Sequence, residues 1–278
     1  TQEPKPACLN PVADYLPISK IENGIIYTKD HRYVKVVEVV PINFMLRSAQ
    51  EQRNIIYSFV SYLKISPIKL QIKVLTRRAE INRHLDGHHI CIDGLYYAYL
   101  LVPSDGYKTQ VPAGWLSLIV NAGDGIDMDM FLSRQPKETI IQKVGQQLRI
   151  NRSKIKDASD TNTDFDDIDG AIRSGYFLKE GLANNEDFYY LNLLITITAS
   201  NEEDLEWKVS EMKKLLLSQD MNACTCHFRE EQAFLSALPL VAMEKKLYER
   251  GKRNLLTGGA ASCYPFTSFE TVSYTHLR

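Results

Sequence analysis

The chain has 278 residues, 44% of them hydrophobic and 24% charged, and its 33 basic and 34 acidic side chains give a formal net charge of −1. This composition is typical of a globular protein and excludes disordered and collagen-like chains. The balanced charge provides no overall basic surface for nucleic acid or for an anionic membrane. At ~150 residues per domain, the length predicts about two domains.

Cysteine content and hydropathy restrict the class of protein further. Five cysteines, an odd and sparse number, favour a reducing cytosol over a disulfide framework. The longest wholly apolar run, 95–102, is shorter than the ~18 residues that a membrane span needs. No basic segment followed by an apolar stretch opens the chain. We therefore expect neither a transmembrane segment nor a secretory signal.

The first predicted elements are two strands. Segments 24–28 and 33–40 are rich in β-branched and aromatic residues, and the polar residues 29–32 between them predict a hairpin. Pro41 closes the second strand, because proline cannot donate a hydrogen bond to a ladder.

A helix and a third strand follow. Ser48 stands three residues before Glu51, which is the spacing of a capping box, and Pro67 ends the helix. Apolar and polar residues then alternate over 68–74, which predicts a half-buried strand. The order strand, strand, helix, strand predicts an α+β subdomain over residues 11–80, with one sheet that the helix covers on one face.

A second α+β subdomain is predicted over residues 90–240. Its first part reads as strand over 91–102, with a turn at 93–94, and apolar residues alternate with aspartates over 126–130. Pro136 then opens a long helix, since proline is tolerated in the first turn. The predicted apolar stripe of this helix follows helical spacing: Ile141, Val144 and Leu148.

The best specified piece of the second subdomain is a β-α-β unit over 191–228. A nearly continuous β-type run fills 191–199, and Ser200 with Glu203 has capping-box spacing. A helical stripe follows, and the chain returns as a strand over 222–228.

The sequence contains no recognisable nucleotide-binding loop. A phosphate-binding loop requires the pattern G-x-x-x-x-G-K-[ST]. At the Gly-Lys pair 251–252, Lys246 stands at the first glycine position and Arg253 at the hydroxyl position. The dinucleotide pattern also fails after Gly123 and Gly125. We therefore predict no catalytic and no cofactor-binding residue in this chain.

A cluster of six aspartates between 157 and 169 has the ligand type that hard cations prefer. In the calcium-loop frame that starts at Asp160, positions three and five carry oxygen ligands, but Phe165 occupies the glycine position and Ala171 the glutamate position. A solvated acidic loop or helix start explains the cluster without a metal, and this is the interpretation we adopt.

Two groups of His and Cys are candidate transition-metal ligands. The first is close in sequence: His84, His88, His89 and Cys91. The pair Asp86-Gly87 interrupts its i, i+4 spacing, so we predict ordinary loop histidines. Cys224 and Cys226 share one face of a predicted strand, where half-buried thiols are expected. We therefore predict no metal site.

Several segments, in a fixed order, carry a resemblance to a known family: 14–18 (DYLPI), 22–25 (ENGI), 191–228, 231–240 (EQAFLSALPL), 253–261 (RNLLTGGAA) and 264–268 (YPFTS). They resemble the N-terminal region of conjugal transfer ATPases of the TraC/TraE-like group, the motors of type IV secretion systems, in the branch found on Gram-positive integrative elements. The passage formed by 253–261 and 264–268 is the most specific, and the resemblance covers roughly residues 11–270.

The resemblance implies a non-catalytic assembly and docking region, truncated before the P-loop motor domain that would bind ATP and Mg²⁺ in the parent protein. This chain alone is then expected to be inactive as an ATPase. Residues 241–270 are expected to be a linker toward the missing motor domain, and 271–278 to be a non-native tail. Residues 83–90 are shorter than the family pattern, so they are expected to be a shortened or misjoined region.

The family also implies partners and a location. It implies self-association, contact with membrane-channel components, and a cytoplasmic position peripheral to the inner face of a bacterial cell membrane. An alternative function is a stand-alone α+β interaction module that contacts DNA through cations following the alternating strand: Lys69, Lys73, Arg77 and Arg78. A third class, a metal-dependent hydrolase, would use the aspartate cluster.

Overall fold

The computed structural model describes residues 16–42, 44–66, 69–75, 83–86, 89–92, 94–108, 111–157 and 163–266. Over these ranges the chain forms eight α-helices, one short 3₁₀ helix and eleven strands in two sheets. The predicted α+β class is confirmed. Within the described part of the chain, no helix combines the length and the apolar character needed to cross a bilayer.

The strands, in chain order, are β1 Ile18–Glu22, β2 Ile25–Thr28, β3 Tyr33–Lys35, β4 Leu70–Val74, β5 Arg83–Asp86, β6 His89–Ile92, β7 Leu95–Leu101, β8 Ile126–Gln135, β9 Phe188–Ala199, β10 Cys224–Thr225 and β11 Arg253–Leu256. The helices are α1 Ala49–Ile65, α2 Ser117–Val120, α3 Lys137–Asp157, α4 Thr163–Ala183, α5 Glu202–Ser218, α6 Glu230–Ala237, α7 Lys245–Gly251 and α8 Thr257–Ser262. The 3₁₀ helix is Phe44–Leu46.

The large sheet has eight antiparallel strands in the order β4-β8-β9-β7-β6-β5, with β10 beside β7 and β11 beside β9. Strand β9 lies at its centre and pairs with β8 from Phe188 opposite Gln135 to Ile197 opposite Ile126. Its nearly continuous apolar run is explained by burial on both faces, because a strand covered on one face only would alternate.

Helices cover both faces of the large sheet. On one face, α1, α5 and α8 pack against a core that includes Met130, Leu193 and Ile195. On the other face, α6 and α7 pack against a smaller cluster that includes Leu101 and Leu194. Since neighbouring residues of a strand point to opposite faces, Leu193 and Leu194 serve different cores.

Helices α3 and α4 form a long antiparallel hairpin. Each has 21 residues, or about 31 Å at ~1.5 Å per residue. The base of the hairpin packs on the sheet through a third cluster: Ile140, Leu182, Phe188 and Leu256. The predicted stripe of α3 needs a correction, because Ile140 is 3% exposed whereas Ile141 is 43% exposed and faces away.

The expectation of one sheet over residues 11–80 is wrong. Strands β1, β2 and β3 form a separate small sheet, whereas β4 is the edge strand of the large sheet and α1 packs on that sheet. The predicted second strand 33–40 ends at Lys35, and residues 36–40 continue without a ladder. Strand-type residues alone did not decide which partner strand, if any, each segment would find.

One predicted cap is confirmed and one is shifted. At α1, the Ser48 hydroxyl accepts a hydrogen bond from the Glu51 backbone N–H, and the Glu51 carboxylate accepts one from the Ser48 N–H, which completes the capping box. At α5, the cap is Asn201 rather than Ser200, because the Asn201 side chain accepts from the Asp204 N–H at 2.8 Å. Asparagine caps as well as serine does.

Segment 241–266, which we expected to be part of a linker, belongs to the folded core. Strand β11 pairs with the start of β9, and Ala260, Ala261 and Cys263 are buried. The predicted return strand 222–228 is also corrected: only Cys224–Thr225 is strand, and it pairs with β7 instead of extending the sheet beside β9.

Candidate functional site

An exposed apolar segment follows the small sheet. We call residues 36–40 the valine segment, because four of its five residues are valines. Val37 is 72% and Val40 82% exposed, and Val36 and Val39 are also exposed. All four valines are exposed, so none of them packs against the described core. Contiguous exposed apolar surface is typical of regions that contact another protein.

A groove is formed mainly by residues of segment 111–118, with Met45 and Met221 beside them. It has a volume of about 270 Å³, and its lining includes Met45, Pro112, Trp115 and Met221. Gly114 turns the chain with a φ of +74°, and a Cβ there would contact the Phe44 ring at 3.4 Å. The groove is mainly apolar, so it would hold an apolar side chain better than a charged ligand.

A buried polar network lies on the face of the large sheet opposite the main core. Asp129 on β8 is 0% exposed, and its carboxylate accepts hydrogen bonds from Lys73 Nζ at 2.7 Å and from Gln71 Nε2 at 2.9 Å. Both donors are on β4, the strand beside β8. Burial raises the pKa of Asp129 to about 6 although Lys73 opposes the rise, and the charge of Asp127 adds to it.

Gln71 connects this network to the 238–241 loop, the first part of the connection between α6 and α7. Its Nε2 also donates to the carbonyls of Leu238 at 3.0 Å and Ser236 at 3.3 Å. Its Oε1 accepts from the Val241 N–H at 2.7 Å. Because both ends of the Gln71 amide bind this chain, the network fixes a backbone path and offers no binding position for a ligand.

Arg32 holds the 238–241 loop from the other side. This residue lies between β2 and β3, and its Nη1 donates to the carbonyls of Leu240 at 2.9 Å and Val241 at 3.3 Å. Its Nε donates to Asp30 at 2.7 Å, which orients the guanidinium and lowers the pKa of Asp30. Val241 has a φ of +53°, a conformation that β-branched residues rarely adopt.

These contacts were missed by sequence reasoning. The sequence drew attention to 231–240 only as a motif, and neither Gln71 nor Arg32 stood out. Arg32 is 208 residues from Leu240, so no local spacing could have indicated the contact. The one available signal was the pair of polar residues Gln71 and Lys73 on the polar side of an alternating strand.

The aspartate cluster is divided by the secondary structure. Helix α3 ends at Asp157 and α4 begins at Thr163, so Phe165 and Ala171 of the calcium-loop frame are helical. Asp160 lies outside the described residues. A 12-residue calcium loop must wrap around the ion, which a helix cannot do. Across the described residues, no three His, Cys, Asp or Glu side chains are placed to hold a metal.

The candidate His and Cys ligands that the structure describes lie in or beside strands of the large sheet. His84 lies in β5 and His89 in β6, so the expectation of loop histidines is wrong for these two, and His88 lies outside the described residues. Cys224 is half-buried in β10. Cys226 is buried beyond it, and burial raises the pKa of its thiol to about 12, which disfavours a thiolate ligand at neutral pH.

The Gly-Lys pair at 251–252 has structural contacts: Gly251 packs closely against β9 and Lys252 forms an ion pair. Gly251 ends α7 above β9, and a Cβ there would lie 2.5 Å from Asn192 Oδ1, so no larger residue fits without a shift. Lys252 Nζ pairs with Glu249 at 2.7 Å. The glycines at the start of α8 are likewise engaged, since the Glu186 carboxylate accepts from the Gly258 N–H at 2.9 Å.

The buried network around Asp129 removes one cation from the face proposed to contact DNA. Lys73 pairs with Asp129, so its charge is neutralised within the fold, whereas Lys69 is exposed. Arg77 and Arg78 lie outside the described residues. The part of this face that the structure describes therefore contributes one exposed cation.

No protein-family model matches the chain, and no curated protein matches it.

Proposed function

We propose that this chain is the non-catalytic assembly and docking region of a bacterial conjugative-transfer ATPase of the type IV secretion class. The observation that carries the docking role is the exposed valine segment, together with the exposed side chains of Tyr33 and Leu46 at either end of the same stretch. Apolar surface of this kind is costly to leave in water, and binding a protein partner would cover it.

The packing of the motif segments supports the family assignment. The strand and helix of 191–228 supply the central strand β9 and the covering helix α5, and 231–240 supplies α6 with the 238–241 loop. Segment 253–261 supplies β11, which pairs with β9, and most of α8. These three of the six segments that resemble the family thus meet around one central strand, where substitutions are most restricted by packing, whereas residues 16–18 and 22–25 of two others lie at the small sheet.

The proposal includes the partners and the place of action. The chain binds further copies of itself or membrane-channel components on the cytoplasmic face of the cell membrane, as a peripheral protein. ATP and Mg²⁺ bind a motor domain of the parent protein, where hydrolysis drives DNA transfer or pilus assembly.

The DNA-contacting alternative receives less support, because Lys73 is already paired with Asp129.

In-cell photocrosslinking tests the docking surface. A photoreactive amino acid at Val37 or Val40 of the parent protein, in a bacterium that performs the transfer, is expected to crosslink to a secretion-channel component or to a second copy, identified by mass spectrometry. These two side chains are the most exposed of the valine segment, so a bound partner would cover them.

The matched control places the same photoreactive residue at Leu217, which is exposed on α5. Crosslinking from Leu217 to the same partner with equal yield would contradict a specific role of the valine segment. Partners unrelated to secretion would overturn the proposed function, and so would sustained Mg-dependent ATP turnover by the isolated chain.

A further inference from the structure

The small sheet has buried residues of its own, Thr28 and Val34, but it does not share the main apolar clusters of the described residues. None of its residues belongs to the three apolar clusters of the described part of the chain. Its aromatic contact, between Tyr27 and Tyr33 with ring centroids 5.2 Å apart, is internal. The valine segment that leads from it to α1 is exposed on both sides. Such a connection permits rotation of the small sheet as a body.

Arg32 is a polar tie between the small sheet and the large one. Its guanidinium donates to two successive carbonyls of the 238–241 loop, Leu240 and Val241, and Gln71 holds the same loop through the Val241 N–H. The loop is therefore clamped between the two sheets. A planar guanidinium with Asp30 behind it is well suited to grip adjacent carbonyls, because its donors form a rigid fork.

Strain at Val241 opposes the clamp. A valine at φ +53° is held there by its contacts, since its branched side chain disfavours the left-handed region. Strained residues of this kind concentrate in switch regions, where release of the strain favours the second state. When the Arg32 bond is broken, Val241 is still held by the Gln71 bond to its N–H, but one of the contacts that oppose a return to negative φ is gone.

We propose that Arg32 and the 238–241 loop form a latch that holds the small sheet in one of two positions, with the valine segment as the hinge. In the closed position Arg32 binds the Leu240 and Val241 carbonyls. In the open position these bonds are broken and the small sheet swings about residues 36–40. The device does not depend on the proposed function, although it would reorient the apolar segment if that segment binds a partner.

Distance measurements between the two sheets test the latch. Spin labels are attached through an unnatural amino acid at Ile21 on β1 and Leu217 on α5, both exposed, so that the native cysteines stay in place. Pulsed electron paramagnetic resonance on the full chain then reports the populations of the two positions. The wild-type chain is expected to show one major distance and a minor second one.

Two substitutions should move this population in opposite directions. Arg32→Ala removes the latch and is expected to raise the second population about tenfold, since charged hydrogen bonds are lost. Val241→Gly relieves the strain, because glycine accepts a positive φ, and is expected to lower the second population about fivefold. Arg53→Ala is the matched control. The Arg53 guanidinium donates a hydrogen bond to Gln50 within the same helix, so its loss should leave the distances between the sheets unchanged.

The outcomes decide the proposal. Equal distance distributions in the wild type and in Arg32→Ala would overturn it, and so would a larger second population in Val241→Gly. If Arg32→Ala fails to fold, as judged by circular dichroism, the comparison of Val241→Gly with the wild type decides by itself. Loss of crosslinking at the valine segment would affect only the proposed function, because the distance experiment uses no partner.

Discussion

Asp129 is the most deeply buried of the described carboxylates, with 0% exposure. It lies in a strand whose apolar and acidic residues alternate, a pattern that normally places the acid in water. Because α6 and the 238–241 loop cover that face of the large sheet, the carboxylate is instead buried and depends on Lys73 and Gln71. Its burial costs free energy that the pairing offsets only in part, so the pKa rises.

This raised pKa predicts a specific pH dependence of stability. The pKa of Asp129 is about 6 in the fold and ~3.9 in the unfolded chain, so between these values the folded state binds the proton more strongly. Its contribution to stability is therefore complete below pH ~4 and is lost as the pH rises through about 6. We expect the free energy of unfolding of the wild type, minus that of Asp129→Asn, to fall over this range.

Urea unfolding of both proteins between pH 4 and pH 8, at ~0.5 pH unit intervals, measures this difference. Subtracting the Asp129→Asn values removes the contribution of carboxylates with lowered pKa, such as Asp30, whose effect has the opposite sign. A difference that rises with pH would show that the ion pair with Lys73 outweighs burial.

At the scale of elements, the α3–α4 hairpin depends on glycines at its contact face. Gly175 lies against Leu148, and a Cβ at Gly181 would overlap Leu256, which is 5% exposed. Close approach of α4 to α3 and to β11 therefore requires residues without side chains at these positions. Leu256 has little room to move, because it is part of the cluster at the base of the hairpin.

Two alanine substitutions in α4 should have opposite effects. Gly181→Ala is expected to destabilise the protein by about 1–3 kcal/mol through overpacking. Gly170→Ala, with nothing within 4 Å of the added Cβ, should stabilise it by up to ~1 kcal/mol, because alanine favours the helix. Thermal unfolding of both variants measures the contrast. Equal changes in stability would mean that α4 does not approach Leu256 as described.

The elements found from the sequence are those with local signals. The capping box of Ser48 and Glu51 and the apolar run of β9 are both contained within short windows, so they could be predicted. The sequence indicated helix α4 only as a helix start within the aspartate cluster, because aspartates and glycines lower its helical propensity, although Ile168 and Ile172, and then Leu178 and Leu182, stand four residues apart. Local signals identify an element but do not decide what it packs against.

Sheet membership and the latch could not be predicted for the same reason. Gln71 reaches Asp129 across 58 residues, and Arg32 reaches Leu240 across 208. The alternation in β4 is the same whether the strand pairs with the small sheet or with β8. The strand with which β4 pairs is determined by the packing of the whole chain, and the local pattern of a single sequence does not indicate it.

At the scale of the whole molecule, the two sheets differ in how much core they share. Strand β9 has Leu193, Leu194 and Ile195 at 0% exposure, with helices on both faces. The small sheet contributes no residue to these cores, and Arg32 ties it to the 238–241 loop. Free energy of opening scales with buried apolar contact, so the two sheets should not open together.

Native-state hydrogen exchange separates the two openings without any substitution. Amides of β9 are expected to exchange only through global unfolding, with a strong dependence on denaturant, because opening them breaks both cores. Amides of β2, the central strand of the small sheet, are expected to exchange at a lower free energy and with a weaker denaturant dependence, since little surface is exposed. The same free energy and the same denaturant dependence for both strands would mean that the sheets unfold as one unit, and the exposed valine segment would then be a rigid connection.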